Sequence, residues 1–103
     1  MYAVARINRY DPEKFSASSG NLDEFDRIHR AQHGYVGTAT VDLRDGRHLV
    51  LNLWESEEDA AAALRVVGPE VGRLLAPLMS GPSELLGTGD VLFTDLAPRA
   101  DSG

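Results

Sequence analysis

The 103-residue chain is 43% hydrophobic and 25% charged, with a formal net charge of -6. That is one ordinary domain, since domains cluster at about 100–150 residues, and its modest core would gain from burial shared with a partner. The acidic balance argues against nucleic acid, which calls for a basic stripe, no apolar run approaches the ~20 residues of a membrane helix, and the absence of cysteine removes disulfides, thiolate metal sites and Cys nucleophiles.

The opening carries no basic segment followed by an apolar one, so no secretory signal is expected and a cytoplasmic location is the default. The first strand is expected over Tyr2 to Tyr10. Alternation puts Ala3, Ala5 and Ile7 on one face and Tyr2, Val4, Arg6, Asn8 and Tyr10 on the other. Asp11-Pro12 ends it, because proline fixes φ and disfavours helix at the preceding residue. A Ser-rich loop over residues 16–20 follows.

The first helix is expected to start at Asn21, with Glu24 in the capping-box position. Leu22, Phe25, Ile28 and His29 then form one stripe, and Gly34 offers a left-handed C-cap. Tyr35 to Leu43 and His48 to Trp54 read as a hairpin around the Asp45-Gly46 turn. Leu49, Val50, Leu51 and Leu53 make the return strand apolar on both faces, as in a central strand.

Ser56 and Asp59 form the cap of a second helix, where Glu57 and Glu58 suit the positive N-terminus. Gly68-Pro69 is expected to break it and to open a third helical segment. There Val71, Leu74, Leu75 and Leu78 share a face, Pro77 kinks the end and Ser80-Gly81-Pro82 stops it. The last strand falls within residues 85–96, split or bulged at Gly87-Thr88-Gly89. The domain therefore spans residues 1–96, and residues 97–103 read as a frayed tail.

The order is βαββαβ, the ferredoxin-like plait of the α+β class. Helices can cover only one sheet face. The other face also carries apolar residues, which a soluble monomer avoids exposing, so a homodimer through the sheet face is expected.

Two stretches carry a family resemblance. Trp54-Glu55-Ser56-Glu57-Glu58-Asp59-Ala60 resembles the W-x-S-x-E-x-A junction of the antibiotic biosynthesis monooxygenases, and His33-Gly34-Tyr35-Val36-Gly37 resembles their P-G-[FY]-x-G entry, with His33 in place of proline. The resemblance covers roughly residues 2 to 96 and implies a dimeric α+β barrel. That superfamily includes cofactor-independent quinone-forming monooxygenases, haem-degrading monooxygenases and polyketide cyclases, so the site must decide among activities. Asn8-Arg9 is similar to the Asn-Arg of haem-degrading relatives. Their second tryptophan aligns near Ala63 and their haem-ligating histidine near Arg73, and both departures speak against haem.

Alternation groups His48, Val50, Asn52 and Trp54 on one face of the third strand, and the first and third strands are central neighbours in this plait. If both marked faces point toward the helices, Arg6, Asn8, Asn52 and Trp54 line one cavity for a small aromatic or apolar ligand. Trp54 is then either core filler or an aromatic wall. Asn8 either bonds a loop backbone or donates to a substrate oxygen. Arg6 and Arg73 are either salt-bridge residues or holders of a substrate anion.

His29 is a candidate general base. Its i, i+4 spacing to His33, with Asp26 nearby, is a weak metal signal without an HExxH motif, and no metal is expected. His48 follows the turn and is expected to be solvated. Tyr10 and Tyr35 are candidate acids that more commonly pack strand ends.

The leading expectation is a cofactor-independent monooxygenase acting on a flat aromatic or polyketide-like substrate. The resemblance implies that the substrate, once deprotonated, reacts directly with dioxygen. His29 or a tyrosine would move the proton, Asn8 and Asn52 would steady the oxygen-bearing anion, and Trp54 would stack on the ring. Arg6, Tyr10, Asn52 and Arg73 would bind substrate. A polyketide cyclase with a His/Tyr acid–base pair and a non-catalytic ligand-binding module are the alternatives.

Overall fold

The computed structural model describes residues 1–95. In chain order these are β1 (Tyr2–Arg9), α1 (Pro12–Ala17), α2 (Ser19–Arg30), β2 (Tyr35–Asp42), β3 (Arg47–Trp54), α3 (Glu57–Glu70), a π-helical turn (Val71–Leu75), a 3-10 turn (Ala76–Leu78) and β4 (Glu84–Asp90). The strands form one antiparallel sheet in the order β2-β3-β1-β4. This is the expected α+β ferredoxin-like plait, and β3 lies inside the sheet as its two apolar faces require. No helix among the described residues is long and apolar enough to cross a membrane. Leu96 and the tail over residues 97–103 lie outside the described residues.

Register decides which side chains face the helices. Across β1 and β3 the pairs are Tyr2 with Trp54, Val4 with Asn52, Arg6 with Val50 and Asn8 with His48. These eight share the helix-covered face, where Trp54, Ala63, Val67, Leu74, Leu75 and Leu78 are buried. The intervening pairs, Ala3 with Leu53, Ala5 with Leu51 and Ile7 with Leu49, point the other way. Among the described residues Ile7 is the one buried side chain on that far face, whereas Val41 and Leu51 stay 47% and 37% exposed.

Several local expectations are corrected. The Ser-rich stretch is helical rather than a loop, and Asn21 lies inside α2 instead of capping it. Asp11 caps α1 instead, accepting from the Glu13 and Lys14 amides at 3.0 and 3.2 Å, with Pro12 in the first turn. Asn21 donates across to the Leu74 carbonyl at 3.1 Å. The first strand stops at Arg9, and Tyr10 forms only an isolated bridge with Met79.

Gly68-Pro69 does not break α3, which runs on to Glu70 with Pro69 inside it. Proline deletes one amide donor there, and its exposed position leaves the freed carbonyl accessible to water. The apolar stripe then continues through the π-helical turn, whose wider winding brings neighbouring Leu74 and Leu75 both inward, each 4% exposed. The bulge in β4 falls where Leu85 and Gly87 flank the register shift opposite Ala5 and Arg6, one step earlier than expected. Ser56 caps α3 as expected, accepting from the Asp59 amide at 3.1 Å.

Gly34 has the left-handed conformation its sequence suggests, φ +80, but three residues beyond the Ala31 cap of α2. An added Cβ there would run into the Asp59 side chain. Gly20, inside α2, has nothing within 4 Å of such a Cβ. Gly34→Ala should therefore lower the unfolding free energy by at least about 1–2 kcal/mol, while Gly20→Ala should raise it by up to about 1 kcal/mol. Urea denaturation of both variants checks the contrast.

Candidate functional site

A cavity of about 670 Å³ separates the sheet from α2 and α3. That is the size of a small-molecule site, and its walls are mostly apolar with a few polar groups. Arg6, Asn8, Tyr10, His29, Asn52 and Trp54 all line it. A second recess of about 490 Å³, bounded by Val71, Met79 and Ser83, holds no titratable side chain.

The cavity has two chemically different ends. At one, the α2 stripe lowers His29 onto the last residue of β3. The His29 ring meets Trp54 edge-on at 5.5 Å, Tyr35 at 5.2 Å and lies parallel to Phe25 at 5.7 Å. His29 is 8% exposed. Burial pushes its pKa below the usual histidine value, with the Asp26 carboxylate opposing. The imidazole is therefore neutral at pH 7, with a lone pair available to accept a proton.

Asn52 stands two residues before Trp54 on the same face. Thr38, directly across on β2, lies 2.8 Å from its Oδ1, and the Tyr35 hydroxyl lies 2.8 Å from Thr38 Oγ1. With the Thr38 proton given to Asn52, Tyr35 donates to Thr38. The Asn52 oxygen is thus occupied, which leaves its NH2 group to bond elsewhere.

At the other end, Tyr10, Phe15 and His48 form a cluster with centroids 4.9, 5.1 and 5.0 Å apart. His48 is half-buried there rather than solvated, because Phe15 of α1 packs over it. Ser83 Oγ donates to Asn8 Oδ1 at 2.6 Å and accepts from Arg6 Nη1 at 3.4 Å. Burial raises the Tyr10 pKa, and a hydrogen bond from Asn8 opposes the shift.

Two expected placements fail. Asn8 and Asn52 do not converge. Asn52 pairs with Val4, so Asn8 lies four strand positions away, about 13 Å at roughly 3.3 Å per residue. They cannot steady one oxygen together. Arg73 does not line the cavity. It points outward to Glu24 and Glu70, each at 2.7 Å, and ties α2 to the end of α3. That pairing lowers the Glu24 pKa and raises that of Arg73.

His33 is 91% exposed and 3.7 Å from Asp59, while Asp26 bonds Arg30 at 2.9 Å. The three candidate metal ligands thus have separate partners, and no group of three His, Cys, Asp or Glu among the described residues could hold a metal. Ser83 and Thr38 were missed in the sequence. A hydroxyl on edge strand β2, or in the residue just before β4, carries no signal until the fold sets it against an asparagine.

No protein-family profile matches the chain, and no curated protein matches it by sequence. Its fold is nevertheless shared. A protein of unknown function from Nitrosomonas europaea superposes with TM-score 0.74 at 16% identity, covering 93% of each chain. The cofactor-independent oxygenase SnoaB of Streptomyces nogalater gives 0.65 at 20% identity, over 90% of this chain and 93% of that one. An antibiotic biosynthesis monooxygenase gives 0.69 at 14% identity, over 89% and 99%. The chain therefore has an antibiotic biosynthesis monooxygenase-like fold.

Because the folded pKa of His29 lies below the unfolded 6.5, acid protonates the unfolded state first. The stability tied to neutral His29 is intact above that value and is lost as pH falls from it toward the folded pKa. A histidine NMR titration should place His29 below 6.5. His29→Leu should flatten the fall in unfolding free energy between about pH 7 and 5.

Proposed function

We propose that the protein is a cofactor-independent monooxygenase acting on a flat, electron-rich aromatic or polyketide-like substrate. The observation that carries this reading is a buried, neutral histidine set against a tryptophan and a tethered carboxamide at one end of a mostly apolar cavity. The shared fold with a cofactor-independent oxygenase supports it.

In this reading His29 takes a proton from a CH2 group that lies between two aromatic rings and is conjugated through them to a carbonyl. The resulting enolate oxygen is held by the Asn52 NH2, and Trp54 walls the ring. The carbanion gives its electrons to dioxygen and forms a carbon–oxygen bond. His29 returns the proton, giving a hydroperoxide. Loss of water leaves a ketone, so that CH2 and O2 become C=O and H2O. Exclusion of water by the aromatic walls strengthens the contacts to the anion.

Oxygen uptake with anthrone-type phenols tests the reading. His29→Gln should slow it about 100-fold or more, the range of a lost general base, and Asn52→Ala should cost a similar factor as a lost donor to the anion. Trp54→Phe should raise KM more than it lowers kcat. No uptake across a broad panel would sink the reading. Anaerobic turnover abolished by His29→Gln would replace it with a cyclase.

The far sheet face supports a second copy as partner. Leu49, Leu51 and Leu53 make a ridge on β3, beside a trough of Ala3 and Ala5 on β1 and Gly87 and Gly89 on β4. No charged side chain interrupts that central patch. A ridge beside a trough suits a second copy turned about a two-fold axis, the arrangement of an isologous interface. Leu51→Arg should convert a species of twice the chain mass into monomer in sedimentation equilibrium. A monomeric wild type at micromolar concentration would refute the dimer.

A further inference from the structure

The end of the cavity remote from His29 is built like a binding station, and the reaction above gives it no task. Arg6 is half-buried. Among the described residues its guanidinium has one hydrogen-bond partner, Ser83 Oγ at 3.4 Å. Arg9, Arg30, Arg47 and Arg73 each have a carboxylate within 4.0 Å; among the described residues Arg6 has none, and Arg27, Arg44 and Arg65, which also have none, are exposed to water. A guanidinium withdrawn from water without a counter-charge is costly, and the cavity it lines is where an anion could reach it.

The neighbours are directed the same way. A guanidinium can only donate, so Ser83 accepts from Arg6 and spends its own proton on Asn8. The 2.6 Å separation is the length of an O–H to oxygen bond and is short for an amide nitrogen. This fixes Oδ1 of Asn8 on Ser83 and leaves NH2 on the other side. Tyr10, 7% exposed, stays protonated at neutral pH and adds an O–H donor.

Charge separates the two ends. Asp26, which is paired with Arg30, and Glu57 line the cavity beside His29 and Trp54, so negative charge lies at the histidine end and the guanidinium toward the other. An anionic ligand is turned by that field toward Arg6.

We propose that Arg6, Asn8 and Tyr10 form an anchoring subsite for an anionic oxygen, a carboxylate or phenolate, on the edge of the flat ligand opposite its reacting carbon, with Ser83 as the positioning residue. The substrate class follows: an elongated fused aromatic with an acidic group at one edge and the reactive ring-flanked carbon, conjugated to a carbonyl, at the other. The assignment of the reacting end rests on the oxygenase reading; the anchoring subsite does not.

The probe is 2-naphthoate, too short to span both ends, compared with its neutral isostere 2-naphthamide by isothermal titration calorimetry. The wild type should prefer the acid by at least about tenfold, the factor one charge-assisted hydrogen bond supplies. Arg6→Leu should erase the preference. Ser83→Ala should reduce it several-fold and Ser83→Thr should restore it, which a merely structural role for Ser83 would not produce. Asn52→Ala and His29→Gln should leave it intact.

In 15N-labelled wild type, which needs no variant to fold, naphthoate should shift the amide signals of Arg6, Asn8 and Ser83 more than those of His29 and Trp54. Equal affinity for acid and amide, no binding of naphthoate at millimolar concentration, a preference that survives Arg6→Leu, or shifts centred on His29 would each overturn the proposal. Anchored naphthoate without oxygen uptake by any phenol would overturn the oxygenase reading alone. Oxygen uptake with no preference for the acid would overturn the anchor alone.

Discussion

The pairing register of β1 against β3 is the constraint on which the rest depends. Side chains alternate with a period of two, so a slip of one residue would exchange the two faces. In the observed register Arg6, Asn8, Asn52 and Trp54 go under the helices, and Ala3, Ala5, Leu49 and Leu51 go to the far side. A single choice therefore builds the cavity floor and the ridge and trough on the opposite face. The strongest local force behind it is burial of Trp54, 4% exposed, beneath α2 and α3. An indole is too large to leave on the far face without a partner, and its place at the strand end fixes the position of every residue before it.

The edge strands then convert a floor of side chains into directed chemistry. A carboxamide can turn over at little cost unless one side is occupied. Here each asparagine meets a hydroxyl from the neighbouring segment, Thr38 of β2 for Asn52 and Ser83, one residue before β4, for Asn8. Each hydroxyl is in turn bonded on its far side, to Tyr35 or to Arg6. Both chains finish on an amide oxygen, so each leaves the carboxamide NH2 group to donate elsewhere. Val4 and Val50 stand opposite Asn52 and Arg6 and add apolar floor between Asn8 and Trp54. Polar groups set along an apolar slot favour a flat ligand that carries polar atoms at matching positions.

The alternation of polar and apolar residues was legible because it depends on local periodicity alone. It placed Arg6, Asn8, Tyr10, Asn52 and Trp54 on two strand faces, the helical stripe placed His29, and the Trp54-Glu55-Ser56 junction marked where β3 hands over to α3. The failures share one cause. Asn21, Gly68-Pro69 and the Ser-rich stretch are local signals for caps and breaks, and tertiary packing overrode each of them. Asn21 found the Leu74 carbonyl across the fold, and the apolar stripe of α3 carried the helix past a proline whose ring faces solvent. Arg73 shares the problem at the level of the site. Its helical position alone could not reveal Glu24, a residue of another helix, as the partner that turns it away from the cavity.

The separation of Asn8 from Asn52 alters the chemical argument more than any boundary does. With both amides at one point, the cavity would be a pocket with a single polar spot and a free choice of ligand orientation. With about 13 Å of strand between them, the ligand's two edges meet different chemistry. Carboxylates and a neutral imidazole stand at one edge, and a guanidinium with a protonated phenol at the other. An anion bound at the Arg6 end keeps its charge away from Asp26 and Glu57, so proton removal at His29 does not have to build a second negative charge beside the first. In the proposed reaction, distance along a β-strand thus becomes charge separation within the ligand, and in a chain of net charge -6 that separation would let an acidic substrate be both held and ionised in the same small cavity.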